Sequence, residues 1–101
     1  MKIKVNKNNI ADIRQFEKDP ENKYVRDDEQ IEKLIVSYEI RDSENQPPNI
    51  EAVVVYKDGV IKSGHSRVDA GLESGYYFLE IKIDISIMIK ILLILDIIKK
   101  I

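Results

Sequence analysis

The sequence predicts an α+β fold, a small mixed sheet with helices packed on it, and three observations predict it. Ile50 to Tyr56 is rich in β-branched residues, with Val53, Val54 and Val55 consecutive, as in a strand buried on both faces. Leu79 to Ile87 alternates apolar residues with Glu80, Lys82, Asp84 and Ser86, the period-two pattern of a strand with one wet face. Ile31, Leu34, Ile35 and Tyr38 fall at i, i+3, i+4 and i+7, which lines one face of a helix. No repeat or composition break divides the chain, so residues 1–101 read as a single domain.

Taken in order, Lys2 to Val5 alternates Lys with Ile or Val and reads as a short half-buried strand. Ile10, Ile13 and Phe16 recur at three-residue steps, enough for one apolar turn. Glu17 to Lys23 is polar, with Asp19-Pro20 as a turn, and reads as a solvated loop. Asp27 or Asp28 caps the helix that follows, Asp28 and Glu29 suit the positive end of its dipole, and Glu32, Lys33 and Glu39 face water. Arg41 to Asn49 is a polar loop held extended by Gln46-Pro47-Pro48, since a residue preceding proline avoids the helical region. Lys57-Asp58-Gly59 makes a hairpin turn, and Val60-Ile61 returns the chain to Ser63. A second helix is expected from Ser66 or Arg67 to about Ser74, ended by Gly75 in a left-handed conformation.

From Ile87 to Ile101 the pattern turns helical again. Ile87, Met88, Ile91, Ile94, Leu95, Ile98 and Ile101 share one broad arc, while Lys90, Asp96, Lys99 and Lys100 lie on the other side among Ile89, Leu92, Leu93 and Ile97. A spanning helix needs about 20 mostly apolar residues. The stretch between Asp84 and Asp96 is shorter and holds Lys90, so no membrane span is expected. Residues 87–101 are expected to dock on the sheet or on a second copy of the chain as a homodimer. A terminus altered by a frame change in an AT-rich gene is the alternative that the Ile and Lys bias suggests.

Composition bounds the function. With 44% hydrophobic and 34% charged residues, the 101-residue chain is globular in type. A net charge of −2 argues against gripping nucleic acid by bulk electrostatics. Any DNA binding should be weak and indifferent to sequence. The absence of cysteine excludes disulfides, zinc-thiolate sites and cysteine nucleophiles, and a single histidine cannot build a His-rich metal site. Met1-Lys2-Ile3-Lys4-Val5-Asn6 lacks the apolar core of a signal peptide, so a cytoplasmic location is expected.

The chemistry concentrates in Ser63-Gly64-His65-Ser66-Arg67-Val68-Asp69-Ala70, where a strand ends and a helix begins. A helix N-terminus leaves N–H groups without partners and favours anions. Gly64 lets a bound group approach the backbone, and Arg67 adds a planar fork of donors suited to phosphate oxygens. The same residues also fit a plain Ser66-x-x-Asp69 helix cap with a solvated arginine.

Gly64-His65-Ser66-Arg67-Val68-Asp69-Ala70 followed by Gly75 resembles the Gly-x-x-Arg-x-x-Ala…Gly box of the ParB/sulfiredoxin superfamily. Asp27 to Ser37 resembles that family's acidic-start helix, and Gln46-Pro47 its Gln-Pro loop before an apolar strand. The resemblance spans about residues 10 to 83. It implies a ParB-like domain that binds nucleotide phosphates in a DNA-associated system such as partition, phage DNA metabolism or DNA modification. Gly64, His65, Ser66 and Arg67 would be its phosphate-binding residues, and Gln46 and Pro47 its pocket loop. The ligand implied is a nucleoside triphosphate, CTP or ATP, with magnesium, and the activities of relatives include nucleotide hydrolysis, nuclease action and phosphorylation of free serine. Sulfiredoxin chemistry is excluded, since His65 stands where it needs a cysteine. Ser66 and Asp69 stand where partition proteins have arginines. Those losses, with the apolar terminus, support a second reading: a catalytically inert interaction protein that keeps the fold and assembles through residues 87–101.

Overall fold

The computed structural model describes residues 2–99, without the side chains of residues 87–90. Ile101 and Lys100, assigned above to the tail helix, lie outside the described residues, as do the side chains of Ile87, Met88, Ile89 and Lys90. The chain is an α+β domain. Its strands are β1 (Ile10–Asp12), β2 (Glu17–Lys18), β3 (Val53–Tyr56), β4 (Val60–Ser63) and β5 (Phe78–Asp84). Its helices are α1 (Asp28–Ser43), α2 (His65–Ser74) and α3 (Ser86–Lys99), with one 3-10 turn at Ile13–Gln15.

The five strands form one mixed sheet in the order β1-β5-β3-β4-β2. β5 runs parallel to β3 and antiparallel to β1, and β4 runs antiparallel to β3 and parallel to β2. The β3–β4 hairpin turns at Gly59, whose φ of +88° suits a tight reversal. Val53 and Val55 are fully buried beneath the helices, while Val54 and Tyr56 are only half-buried. The strand therefore has one dry face rather than the two expected.

Asp27 caps α1 by accepting from the backbone N–H groups of Glu29 and Gln30. Of the four inward positions, Ile31 and Tyr38 are buried and Leu34 and Ile35 half-buried against the core. α1 packs on α2, and Val68 and Ala70 of α2 join Ile13, Ile61, Leu79 and Ile81 in the core. Gly71 lets α2 sit close to the 3-10 turn: a Cβ there would stand 2.6 Å from the Tyr76 carbonyl oxygen and 2.7 Å from Ile13 Cδ1. Asn49, 1% exposed, fastens the start of β3 to β5 by donating to the Glu51 and Glu80 carbonyls and accepting from the Glu80 N–H.

Arg41 to Ser43, read as loop, continue α1, and β5 ends at Asp84 with Ser86 and Ile87 already in α3, short of the expected strand to Ile87. Three further local expectations are corrected. Lys2 to Val5 is not a strand; only Val5 forms a bridge, to Ala11. Asn6 turns the chain back by accepting from the Asn8 and Ile10 N–H groups, which leaves too short a segment to pair. Glu17 and Lys18, read as loop, form β2 because the free edge of β4 offers them backbone partners. Among its described side chains α3 does not dock on the sheet: every one from Ile91 to Lys99 is exposed. Its projection makes the molecule 56 × 31 × 20 Å with a radius of gyration of 16.1 Å. A compact chain of this length has about 13 Å. Among the described residues, no helix is long and apolar enough to cross a membrane.

Candidate functional site

β4 ends at Ser63 and α2 begins at His65, so Gly64 alone makes the corner. It holds φ +95°, a left-handed conformation that glycine adopts without the clash a Cβ brings. A Cβ on Gly64 would also stand 3.1 Å from Arg67 Nη1 and 3.2 Å from Val53 Cα. The missing side chain is therefore what lets the guanidinium lie against the corner. α2 starts one residue earlier than the sequence pattern suggested, with Gly64 as its N-cap and no side-chain cap. Ser66 lies inside the first turn instead. Val68 is the first residue to donate within the helix, to the Gly64 carbonyl, so the N–H groups of His65, Ser66 and Arg67 have no helical acceptor.

This helix end opens on a cleft of about 660 Å³. Gly64, His65, Ser66 and Arg67 all line it, joined by Tyr24, Gln30 and Leu34 from far earlier in the chain. Gln46 and Pro47 do not line it. They close the C-terminus of α1, where Gln46 N–H donates to the Arg41 carbonyl and Arg41 Nε to the Pro47 carbonyl at 2.8 Å. A smaller apolar pocket of about 240 Å³, lined by Leu34, Tyr38 and Ile50, adjoins the cleft. Glu51 and Arg67 line both, so their ion pair forms part of the shared wall.

The cations of the cleft are largely committed. Arg67 Nη2 donates to Glu51 Oε2. Lys62 pairs with Asp84 at 2.6 Å, which holds the Asp84 carboxyl well below its usual range, the Ser86 N–H adding to the effect. Lys23 also lines the cleft and has no carboxylate partner among the described residues. No group of three or more acidic or histidine side chains among the described residues is placed to hold a metal.

His65 is 6% exposed, and its Nε2 is buried without a hydrogen-bond partner. Its ring stacks on Tyr24, with centroids 5.3 Å apart and planes 22° from parallel. Burial first, and the Lys18 ammonium second, pull the imidazole below its ordinary pKa of 6.5, which favours the neutral form. Asp69 organises the residues around it: it accepts from Tyr24 Oη at 3.0 Å, pairs with Lys18 at 3.0 Å, and lies 4.0 Å from Arg26 Nη1. Desolvation raises the Tyr24 phenol above its usual value. Asp69 thus ties residues 18–26 to α2 and is not half of a helix cap.

Sequence reasoning missed Glu51, Tyr24, Lys62 and Asp69. Lys62 adjoins the box in the chain, and Tyr24 is a lone aromatic in a charged loop, a pattern that calls for a surface to cover it. Glu51 carried no local signal. No family model matches the chain, and no curated protein matches it.

Proposed function

We propose that this chain binds the phosphate of a nucleotide at the N-terminus of α2, as the resemblance to ParB-like domains implies, within a DNA-associated system. The observation that carries the reading is the uncapped helix end at Gly64 with Arg67 Nη1 against it, opening on the 660 Å³ cleft. Free N–H groups, the helix dipole and a guanidinium converge there, and a phosphate satisfies all three. The adjoining apolar pocket beside Leu34, Tyr38 and Ile50 suits the base. Magnesium would arrive on the phosphates of a triphosphate such as CTP or ATP. Binding is favoured over hydrolysis or transfer, because Glu51 is held by Arg67 and the His65 Nε2 is enclosed. DNA contact should be weak and independent of sequence, since Glu32, Lys33 and Glu39 give α1 a mixed outer face.

The test is calorimetry of the full chain with CTP, ATP and GTP, with and without magnesium, beside Arg67→Ala. Loss of a charge-assisted contact removes about 1.5–3 kcal/mol, so affinity should fall about 10- to 150-fold. An affinity that Arg67→Ala leaves unchanged would refute this site.

A second reading, assembly through the terminal helix, is favoured by the exposure of Ile91, Leu92, Leu93, Ile94, Ile97 and Ile98, each 52–62% exposed. An apolar surface of that kind needs cover, and a second copy of α3 supplies it. Sedimentation velocity across a concentration series tests it. A monomer throughout would refute it.

A further inference from the structure

We infer that Glu51 positions Arg67, holding its guanidinium with Nη1 turned to the helix N-terminus; this rests on the phosphate-binding reading above. Arginine carries five N–H donors in a planar fork, and Glu51 accepts only at Nη2. Nη1 is the nitrogen that lies against Gly64, 3.1 Å from the place of a Cβ. The carboxylate therefore takes one edge of the fork and leaves the other to face the ligand.

Both backbones are fixed from below by buried polar side chains. Tyr38 Oη donates to the Arg67 carbonyl at 3.0 Å, and Asn49 Nδ2 donates to the Glu51 carbonyl at 2.9 Å. Tyr38 and Asn49 are each 1% exposed. The remaining freedom lies in the two side chains, and the ion pair removes much of it. Glu51 itself is an exposed side chain at 76%, whereas that of Arg67 is 24% exposed. An exposed ion pair of this kind adds little to fold stability, so what Glu51 contributes is direction. Without it, Arg67 would sample rotamers that turn away from Gly64, and the ligand would bear the cost of ordering it.

The test measures affinity of the full chain for magnesium-ATP and magnesium-CTP in wild type, Glu51→Ala, Glu51→Gln, Arg67→Ala and the Glu51→Ala/Arg67→Ala double variant. Glu51→Ala should weaken binding about three- to tenfold without lowering the melting temperature. Glu51→Gln should retain most of the affinity, since its side-chain oxygen still accepts from Nη2. In the Arg67→Ala background, Glu51→Ala should have no further effect, an outcome that a merely structural role would not give. The Arg67 Nε–H signal in a nitrogen-15 correlation spectrum should sharpen or shift in wild type relative to Glu51→Ala. Tighter binding by Glu51→Ala would overturn the inference, by making Glu51 a competitor of the phosphate. Unchanged affinity, or an equal loss in both backgrounds, would overturn it too. If wild type binds neither nucleotide, the phosphate reading fails and takes this assignment with it; if wild type binds and the Glu51 variants behave otherwise than stated, only the assignment fails.

Discussion

Substituting Gly64 by alanine separates the two reasons for a glycine at that corner. The first is conformational: φ is +95°, and a left-handed backbone costs an L-residue about 1–2 kcal/mol. The second is spatial, because the new Cβ would stand 3.1 Å from Arg67 Nη1 and 3.2 Å from Val53 Cα. Val53 is backbone in the middle of the sheet and cannot yield cheaply, so the guanidinium is the group that moves. Gly75→Ala is the control: φ there is +81°, and nothing lies within 4 Å of the added Cβ. Both variants should lose about 1–2 kcal/mol, which for a domain of this size is about 4–16 °C in melting temperature. Only Gly64→Ala should also lose nucleotide affinity, by about tenfold or more, as the Arg67 contact is displaced. Thermal melts and calorimetry on the same samples read both effects. Wild-type affinity in Gly64→Ala, or an equal loss of affinity in Gly75→Ala, would refute the argument that Gly64 exists to seat Arg67.

Gly71→Ala should destabilise by about 1–3 kcal/mol in a urea melt, because the added Cβ meets the Tyr76 carbonyl at 2.6 Å. In an exposed helix the same change gains about 1 kcal/mol, so a more stable variant would refute the close approach. His65 is the one histidine of the chain, and burial holds its folded pKa below the unfolded value of about 6.5. The unfolded chain then binds more protons in the window below about pH 6.5, so stability should rise with pH through that window and level off above it. A stability profile that is flat across the window in wild type, or unchanged in His65→Gln, would refute the enclosed neutral imidazole. Ile91→Asp/Ile94→Asp should convert an α3-mediated dimer to monomer with the circular dichroism of the domain retained, since these side chains are 52% and 57% exposed. Loss of the fold would show that α3 contributes to the core.

Segments whose pattern repeats locally were legible in the sequence. The i, i+3, i+4, i+7 spacing of Ile31, Leu34, Ile35 and Tyr38 marked α1, and alternation from Leu79 marked β5. The Asp58-Gly59 pair marked the hairpin and Gly75 the end of α2, whose start the pattern placed at Ser66 or Arg67 instead of His65. β1 and β2 have three and two residues, too few to carry a period, and exist because β5 and β4 present edges to them. The outward course of α3 was equally hidden, since an apolar helix gives no sign of whether its cover lies in the same chain. The floor of the candidate site was legible because Gly64 to Arg67 is contiguous. Its walls were not, because Glu51, Tyr24 and Leu34 reach it from three other parts of the chain. Asp69 was misread for a related reason: a Ser-x-x-Asp spacing looks like a cap, and only the folded chain brings Lys18 and Tyr24 to the carboxylate.

That carboxylate has a consequence for how the protein comes apart. Residues 18–26 bury little apolar surface and are moored to α2 through Asp69 and, at Arg26, through Glu73 at 2.7 Å. Opening this segment breaks a handful of polar contacts, one ring stack and the Lys18 end of the two-residue β2 pairing, while the rest of the sheet and both packed helices stay intact, so its amides should exchange with solvent by a local route well below the free energy of global unfolding. Lys18, Lys23 and Arg26 fall within it, which makes it the segment that trypsin should nick first in the folded domain. Tyr24 lines the cleft from the same segment. A ligand that binds beneath it should therefore slow both the exchange and the nick, so that the rate of cleavage becomes a readout of occupancy that requires no knowledge of the ligand's identity.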